Sequence, residues 1–431
     1  MSFRVSIMRQ LYVYINQDKI GSLKEENDIW SFEYTLNWLA HKQSYPLSPH
    51  IPLQGGAQMD GSTHRYIQWF FDNLLPEEGA RALLAKDINI NSADSFGILS
   101  ITGAESAGAI TLVADDLSWI QAINDGSVDE LTAEELNTRI NNLPNLPLNN
   151  KESKRMSIAG AQHKMLVVMD NDAIYEPNGA MPSTHILKPL HTMPDVYWQS
   201  VRNEWFVMSL ANKLELNTPD VQVCYFPKAA YIIERFDRKG RYPEQSRLHA
   251  LDGCQLLGLS KSAKYSQSTV AQLRAFSEKI RAKGQAKITI FRWVIFNALI
   301  GNTDAHLKNL TCLFDANGMV LSPMYDLLST AIYEKEGLHL SAELSQPIGN
   351  ATTLAALTRE DIFVFAHEFG LNIKIAQRTL DALLKNIDKE ADNLILIVEE
   401  INDIPYKAAE LRMLREIRYK IIAEMVAKLK E

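Results

Sequence analysis

Apolar and polar positions alternate over residues 11–15, break across Asn16-Gln17-Asp18-Lys19 and resume at Ile20, a pattern that predicts an opening β-hairpin. The period of two returns over 30–34 and adds a third strand. The proline-bearing stretch 46–52 predicts irregular backbone, after which the spacing turns helical over 66–75 and 77–85, with Pro76 as the break. Tyr66, Trp69, Phe70, Phe71 and Leu74 recur on one face of the first helix, which predicts burial against the C-terminal domain rather than an exposed patch. A strand follows over 109–113, then a short helix over 131–140 in which Thr132 and Glu135 have capping-box spacing. The stretch 141–150, with Pro144 and Pro147 among asparagines, is the best linker and divides the chain into 1–150 and 151–431.

Beyond the linker, 165–169, 185–188, 221–224 and 230–233 read as strands, and 202–214 and 289–300 as helices. From 359 onwards helical patterns dominate, including 372–386 and 406–430. This succession predicts an α+β protein: a β-rich N-terminal domain, then strands giving way to a mostly helical C-terminal lobe.

Bulk properties narrow the picture. A chain of 431 residues, 46% hydrophobic and 22% charged, is long enough for two or three domains with their own cores. Its formal net charge of −8 argues against a surface that grips nucleic acid as a whole, so any DNA association is expected through a partner. No apolar run reaches the roughly 20 residues of a membrane helix, and residues 1–10 lack the core of a secretory signal, so the cytoplasm is the expected compartment. Cys224, Cys254 and Cys312 lie far apart in apolar surroundings and read as buried thiols. The basic residues of 406–430 read as a solvated face opposite Leu411, Leu414, Ile417, Ile421 and Met425, with a minor DNA or partner contact as the alternative.

The candidate chemistry lies in Gly301-Asn302-Thr303-Asp304-Ala305-His306-Leu307-Lys308-Asn309 and the later Met324-Tyr325-Asp326. A buried helix ending at Gly301 would hold the polar loop, and a hairpin around Asp315-Ala316-Asn317-Gly318 would return Asp326 towards it. Phosphoryl transfer needs a carboxylate to take the acceptor proton and divalent metal to offset charge on the triphosphate. Asp304 and Asn309 meet the Asp-x-x-x-x-Asn spacing of a kinase catalytic loop, Lys308 suits the transferring group, and His306 suits loop orientation. Asn309 and Asp326 are hard oxygen donors of the kind magnesium takes. The alternatives are that Asp304 and Asn309 only cap turns, or that Asp304 and His306 bind a transition metal; no second His or Cys stands at a convincing ligand spacing.

Asp304-Ala305-His306-Leu307-Lys308-Asn309 with Tyr325-Asp326, preceded by Ser157-Ile158-Ala159-Gly160-Ala161-Gln162-His163-Lys164, resembles the HipA family of bacterial toxin kinases. Phe70-Phe71-Asp72-Asn73-Leu74-Leu75-Pro76, Ser106-Ala107-Gly108-Ala109, Thr184-His185-Ile186-Leu187-Lys188-Pro189 and Glu234-Arg235-Phe236-Asp237-Arg238 extend the likeness over nearly the whole chain. The resemblance implies a two-lobed protein-kinase-like fold and a serine/threonine kinase that uses ATP and Mg2+. It also implies a small helix-turn-helix antitoxin as partner, operator DNA bound mainly through that antitoxin, and an acceptor such as glutamyl-tRNA synthetase.

Position by position, it implies Asp304 as base, Asn309 and Asp326 as magnesium ligands, and Lys188 as the lysine on the ATP phosphates. Glu204 is the acidic partner that kinase logic suggests for Lys188. Ala159, Gly160, Ala161, Gln162, His163 and Lys164 would cradle phosphate through backbone N–H groups that small side chains leave accessible. Glu234 and Phe236 would meet the adenine edge through backbone, while Asp237 either reaches the ribose or pairs with Arg235 or Arg238. Ser157 is the implied autophosphorylation site, or else a turn serine. Two further readings stay open: a co-repressor with vestigial activity, and a small-molecule kinase.

Overall fold

The structure is a computed structural model and describes residues 8–148, 159–160 and 162–431. The chain divides into two compact units. Unit one comprises Met1–Leu187, Arg235–Ser262 and Cys312–Met319; unit two comprises Lys188–Glu234, Ala263–Thr311 and Val320–Glu431.

In unit one the opening hairpin forms from Arg9–Ile15 and Asp18–Glu26, with Asn16 in the left-handed conformation its turn requires. Ile29–Tyr34 pairs antiparallel with the second strand, and Ile110–Val113 pairs antiparallel with the first. Alternation decides which face is inward: Trp30, Phe32 and Tyr34 are buried while the residues between them are half-exposed. The predicted aromatic stripe lies on the helix Tyr66–Asp72, where Phe70 and Phe71 are buried and Tyr66 and Trp69 half-buried. Phe71 packs 6.1 Å from Phe32, and Phe70 lies 6.4 Å from His249, so the stripe joins the sheet to a segment from the second half of the chain. Each such ring buried contributes about 1.5–3 kcal/mol.

The helix Ala133–Asn141 carries the expected capping box: Thr132 Oγ1 accepts from Glu135 N at 3.2 Å, and Glu135 Oε2 accepts from Thr132 N at 2.9 Å. A second antiparallel set joins Ser127–Glu130 to Ala173–Asn178, and Ala173–Asn178 to Met165–Asp170.

Unit two is mainly helical. The helix Ser200–Lys213 is buried along most of its length, and Lys283–Leu299 packs against Val270–Lys279 and Ile373–Glu400. Ile373–Glu400 runs well past the expected end at 386. The charged stretch after Ile387 interrupts the apolar spacing only on the outer side, and Ile387, Ala391, Leu394, Ile395 and Val398 stay buried. The expected single helix over 406–430 is Lys407–Glu416, a π-helical segment Ile417–Ile422, and Ala423–Lys430. Its stripe of Leu411, Leu414, Ile417, Ile421 and Met425 is buried as expected. Arg418 departs from the solvated face: it is buried and lies 2.9 Å from Asp388 and 2.8 Å from Asp392. Cys254 and Cys312 are buried free thiols, whereas Cys224 is only half-buried. Among the described residues, no helix is long and apolar enough to cross a membrane.

Candidate active site

Lys188 sits on the strand His185–Pro189 and is almost fully buried. Its Nζ lies 2.7 Å from Glu204 Oε1 and 2.7 Å from Asp326 Oδ1. Burial alone would push the ammonium towards neutrality; the charges of Asp326 and then Glu204 reverse this and hold its pKa above the ordinary lysine value. Lys188 is thus a fixed cation between two carboxylates.

Successive residues of the helix Ser200–Lys213 fix this arrangement. Asn203 donates from Nδ2 to Ser329 O at 2.8 Å and accepts from Ser329 N at 2.9 Å, which ties the backbone just beyond Asp326 to the helix bearing Glu204. Arg202 Nε donates to Glu410 Oε2 at 2.7 Å, and Tyr225 Oη accepts from Arg202 at 2.8 Å while donating to Glu410 at 2.8 Å. Asn203 escaped the sequence reading, and Glu410 departs from the solvated face expected over 406–430 by being fully buried, because a buried polar residue carries no mark of a partner far along the chain. Asp326 itself has φ of 58°, a backbone conformation that a non-glycine residue keeps only where its surroundings enforce it.

The polar loop begins where the helix Lys283–Leu299 ends. Gly301 takes φ of 65°, and its carbonyl accepts from Thr330 N at 3.0 Å and Ala331 N at 2.9 Å. Asn302 is buried, donates to Asn297 Oδ1 at 2.8 Å and accepts from Asp304 N at 3.0 Å. Thr303 N donates to Thr330 Oγ1 at 2.7 Å. Asn309 Nδ2 donates to Asp304 O at 2.9 Å, and the same oxygen accepts from His306 N at 2.9 Å, closing Asp304, His306, Lys308 and Asn309 into one turn. His306 Nε2 stands 3.9 Å from Asp304 Oδ1, and Tyr265 Oη donates to that same carboxylate oxygen.

The return of the chain links this loop to Asp326. Ser322 N donates to Thr311 O at 3.0 Å, and Tyr325 Oη donates to Lys308 O at 2.7 Å. The residues adjoining Asn309 and Asp326 are therefore hydrogen-bonded to each other. The Asn309 amide nitrogen faces Asp304 O, which turns its Oδ1 the other way. One amide and one carboxylate oxygen suit Mg2+, which takes few protein ligands and completes its shell with phosphate and water. Among the described residues no group of three or more His, Cys, Asp or Glu is arranged to hold a metal.

The remaining candidates lie elsewhere in the chain. Gly160 has φ of 114°, and its carbonyl accepts from Glu77 N at 3.1 Å. Lys164 Nζ donates to Ala159 O at 2.7 Å, Gln162 is half-buried, and burial holds the His163 imidazole below its ordinary pKa. Ser157 and Ala161 lie outside the described residues. Glu234 is exposed with its N–H bonded to Asp220 O at 3.0 Å, and Phe236 is half-buried.

Asp237 makes the ion pair with Arg235 that one of its two readings expects. Arg235 donates to Oδ1 at 2.9 Å and to Oδ2 at 2.7 Å, and Gly108 N donates to Oδ2 at 2.6 Å. Despite burial, Arg235 and Arg238 hold its carboxyl at about 2. The same cluster buries Glu105, which accepts from Ser183 Oγ at 2.9 Å and from Arg238 at 2.8 Å, and which also pairs with Arg247. Glu105 had no sequence signal beyond its place before Ser106.

The family model described as HipA N-terminal domain matches residues 11–113, and the HipA-like C-terminal domain matches 156–392. The relative Y4mE of Sinorhizobium fredii is 30% identical over 94% of this chain and 95% of its own. The serine/threonine-protein kinase toxin HipA of Shewanella oneidensis is 28% identical over 91% of each chain. The solved Shewanella oneidensis complex of HipA, HipB and operator DNA includes a chain with a TM-score of 0.77 and 26% identity, covering 97% of this chain and 99% of that one. With its two-lobed kinase-like α+β fold, the chain belongs to the HipA family and is a kinase.

Proposed function

We propose that this protein is an ATP-dependent serine/threonine protein kinase and the toxin half of a toxin–antitoxin pair. The observation that carries the reading is Lys188 held between Glu204 and Asp326, with Tyr325 tying Asp326 to the Asp304–Asn309 turn. Glu204 orients Lys188 so that its ammonium meets phosphate oxygens of the donor as a compact point charge. Asn309 and Asp326 hold Mg2+, which when bound offsets charge on the triphosphate. Asp304 accepts the proton of the acceptor hydroxyl, Lys308 balances charge on the transferred group, and His306 steadies the turn.

Ala159, Gly160, Gln162, His163 and Lys164, with Ala161 between them, form the phosphate loop; Gly160, with its positive φ, supports that role. Glu234 and Phe236 meet the base of the nucleotide. Ser157 is the regulatory autophosphorylation site, where added charge would repel nucleotide. Residues 1–150 form an N-terminal module and 151–431 the catalytic one, a division that the family matches over 11–113 and 156–392 support. The partner is a small DNA-binding antitoxin through which operator DNA is bound, as the likeness to a HipA from a HipB–operator complex supports.

The test is incubation with labelled ATP and Mg2+, alone, with purified glutamyl-tRNA synthetase, and with a cell lysate. Label on protein that disappears in Asp304→Ala is the expected result. A native protein that labels neither itself nor any other protein, yet phosphorylates a hydroxylated metabolite, would remove the protein-kinase reading.

A further inference from the structure

Tyr265 lies on a short segment that is bonded to the catalytic turn rather than merely near it. Leu307 N donates to Lys264 O at 3.4 Å, and Ser268 N donates to Tyr265 O at 2.9 Å. The Tyr265 ring meets His306 edge-on with centroids 4.9 Å apart, and Lys264 Nζ lies 5.1 Å from the ring centroid. These contacts aim the phenol at Asp304 Oδ1, to which Oη donates its hydrogen bond. Tyr265 is nonetheless 47% exposed, so it is a surface side chain turned onto the carboxylate rather than a core group.

A general base must receive its hydrogen bond from the hydroxyl that it deprotonates. In this structure a hydroxyl of the chain itself makes that bond. The geometry points to Tyr265 as an internal phosphoryl acceptor, modified in cis by the same site. This rests on the kinase reading and adds an acceptor of a different chemical class, a phenol. In the step, the Oη proton passes to Asp304, and Oη bonds to the γ-phosphorus of the bound nucleoside triphosphate. The bond from that phosphorus to the oxygen bridging the β-phosphate breaks, and its electron pair leaves with the diphosphate. The product carries a charge of about −1.5 to −2 beside Asp304. It therefore fills the acceptor position and repels the base.

The experiment treats full-length protein with a phosphatase, incubates it with ATP and Mg2+, and maps phosphate by mass spectrometry of its peptides. The expected result is phosphate on Tyr265, at a rate independent of protein concentration and reduced at least about a hundredfold in Asp304→Ala, the lower end of what loss of a general base costs. Phosphate on serine or threonine with Tyr265 unmodified overturns this inference and leaves the kinase reading standing. No phosphate on this chain or on any lysate protein overturns both. A nucleotide-free readout is the Cζ resonance of Tyr265 in ring-labelled protein, identified by its loss in Tyr265→Phe. It should shift in Asp304→Asn, and a resonance that stays in place means that the phenol does not bond Asp304 in solution and overturns the proposal.

Discussion

Replacing Gly301 by alanine tests how tightly the end of the helix Lys283–Leu299 sets the Asp304–Asn309 turn. The φ of 65° is open to glycine and costs another L-residue about 1–2 kcal/mol. A Cβ there would also stand 2.8 Å from Ile421 Cγ2 and 2.9 Å from Ala331 Cβ, both closer than carbon atoms settle. Overpacking of that kind costs about 1–3 kcal/mol, for a total of about 2–5 kcal/mol. At about 2–4 °C per kcal/mol, the melting temperature measured by scanning calorimetry should fall by about 4–20 °C. The strain also has a direction. Thr330 and Ala331 bond the Gly301 carbonyl, so relief by backbone movement shifts the turn bearing Asp304 against the segment after Asp326. A displacement of about 1 Å is enough for roughly a hundredfold loss of turnover, to be read well below the melting point. Gly301→Ala melting within 1 °C of native, at native turnover, would refute the reasoning.

Three further outcomes follow from the buried charges. Lys188→Met should weaken ATP binding in a calorimetric titration and, by leaving Glu204 buried without its cation, destabilise unit two by about 3–5 kcal/mol, so native-like melting and affinity would count against the assigned contact. Glu410→Ala should cost about 3–5 kcal/mol by stranding Arg202, measured by thermal unfolding, whereas replacing Glu410 and Arg202 together by leucine and methionine should cost much less; equal losses would argue against the ion pair as the cause. Burial lowers the His249 pKa from 6.5 to about 4, so between these values the unfolded chain binds the extra proton: the contribution is complete above about pH 6.5, is lost as pH falls towards 4, and totals roughly 3 kcal/mol. His249→Gln should flatten that part of the stability–pH curve, and an unchanged slope would show that another group titrates there.

What was legible in the sequence was local. The Asn16 turn, the Thr132–Glu135 capping box and the helix stop at Gly301 each depend on neighbours within a few residues, and each formed where the pattern placed it. Lys188 and Glu204 were paired on kinase logic, and the structure has them in contact. The misses concern distant partners or interrupted patterns. Asp237 offered a charged loop residue with two readings, and only the fold reveals that Gly108 and Arg235 engage both its oxygens. Glu410 meets Arg202 across most of unit two, and Tyr265 meets Asp304 through a segment with no helical or strand period to announce it. The charged residues after Ile387 hid the continuation of a helix whose inner face stays apolar.

The cluster around Glu105 bears on how the polypeptide takes shape as it leaves the ribosome. Its carboxylate is fully enclosed, and the guanidinium groups that neutralise it belong to Arg235, Arg238 and Arg247. A nascent chain that has emerged only to the Asn-rich linker holds the acid without its counter-charges and cannot dehydrate that acid without them. Final consolidation of the amino-terminal half therefore waits for translation through Arg247, and a fragment cut at the module border should emerge as a loosely packed species.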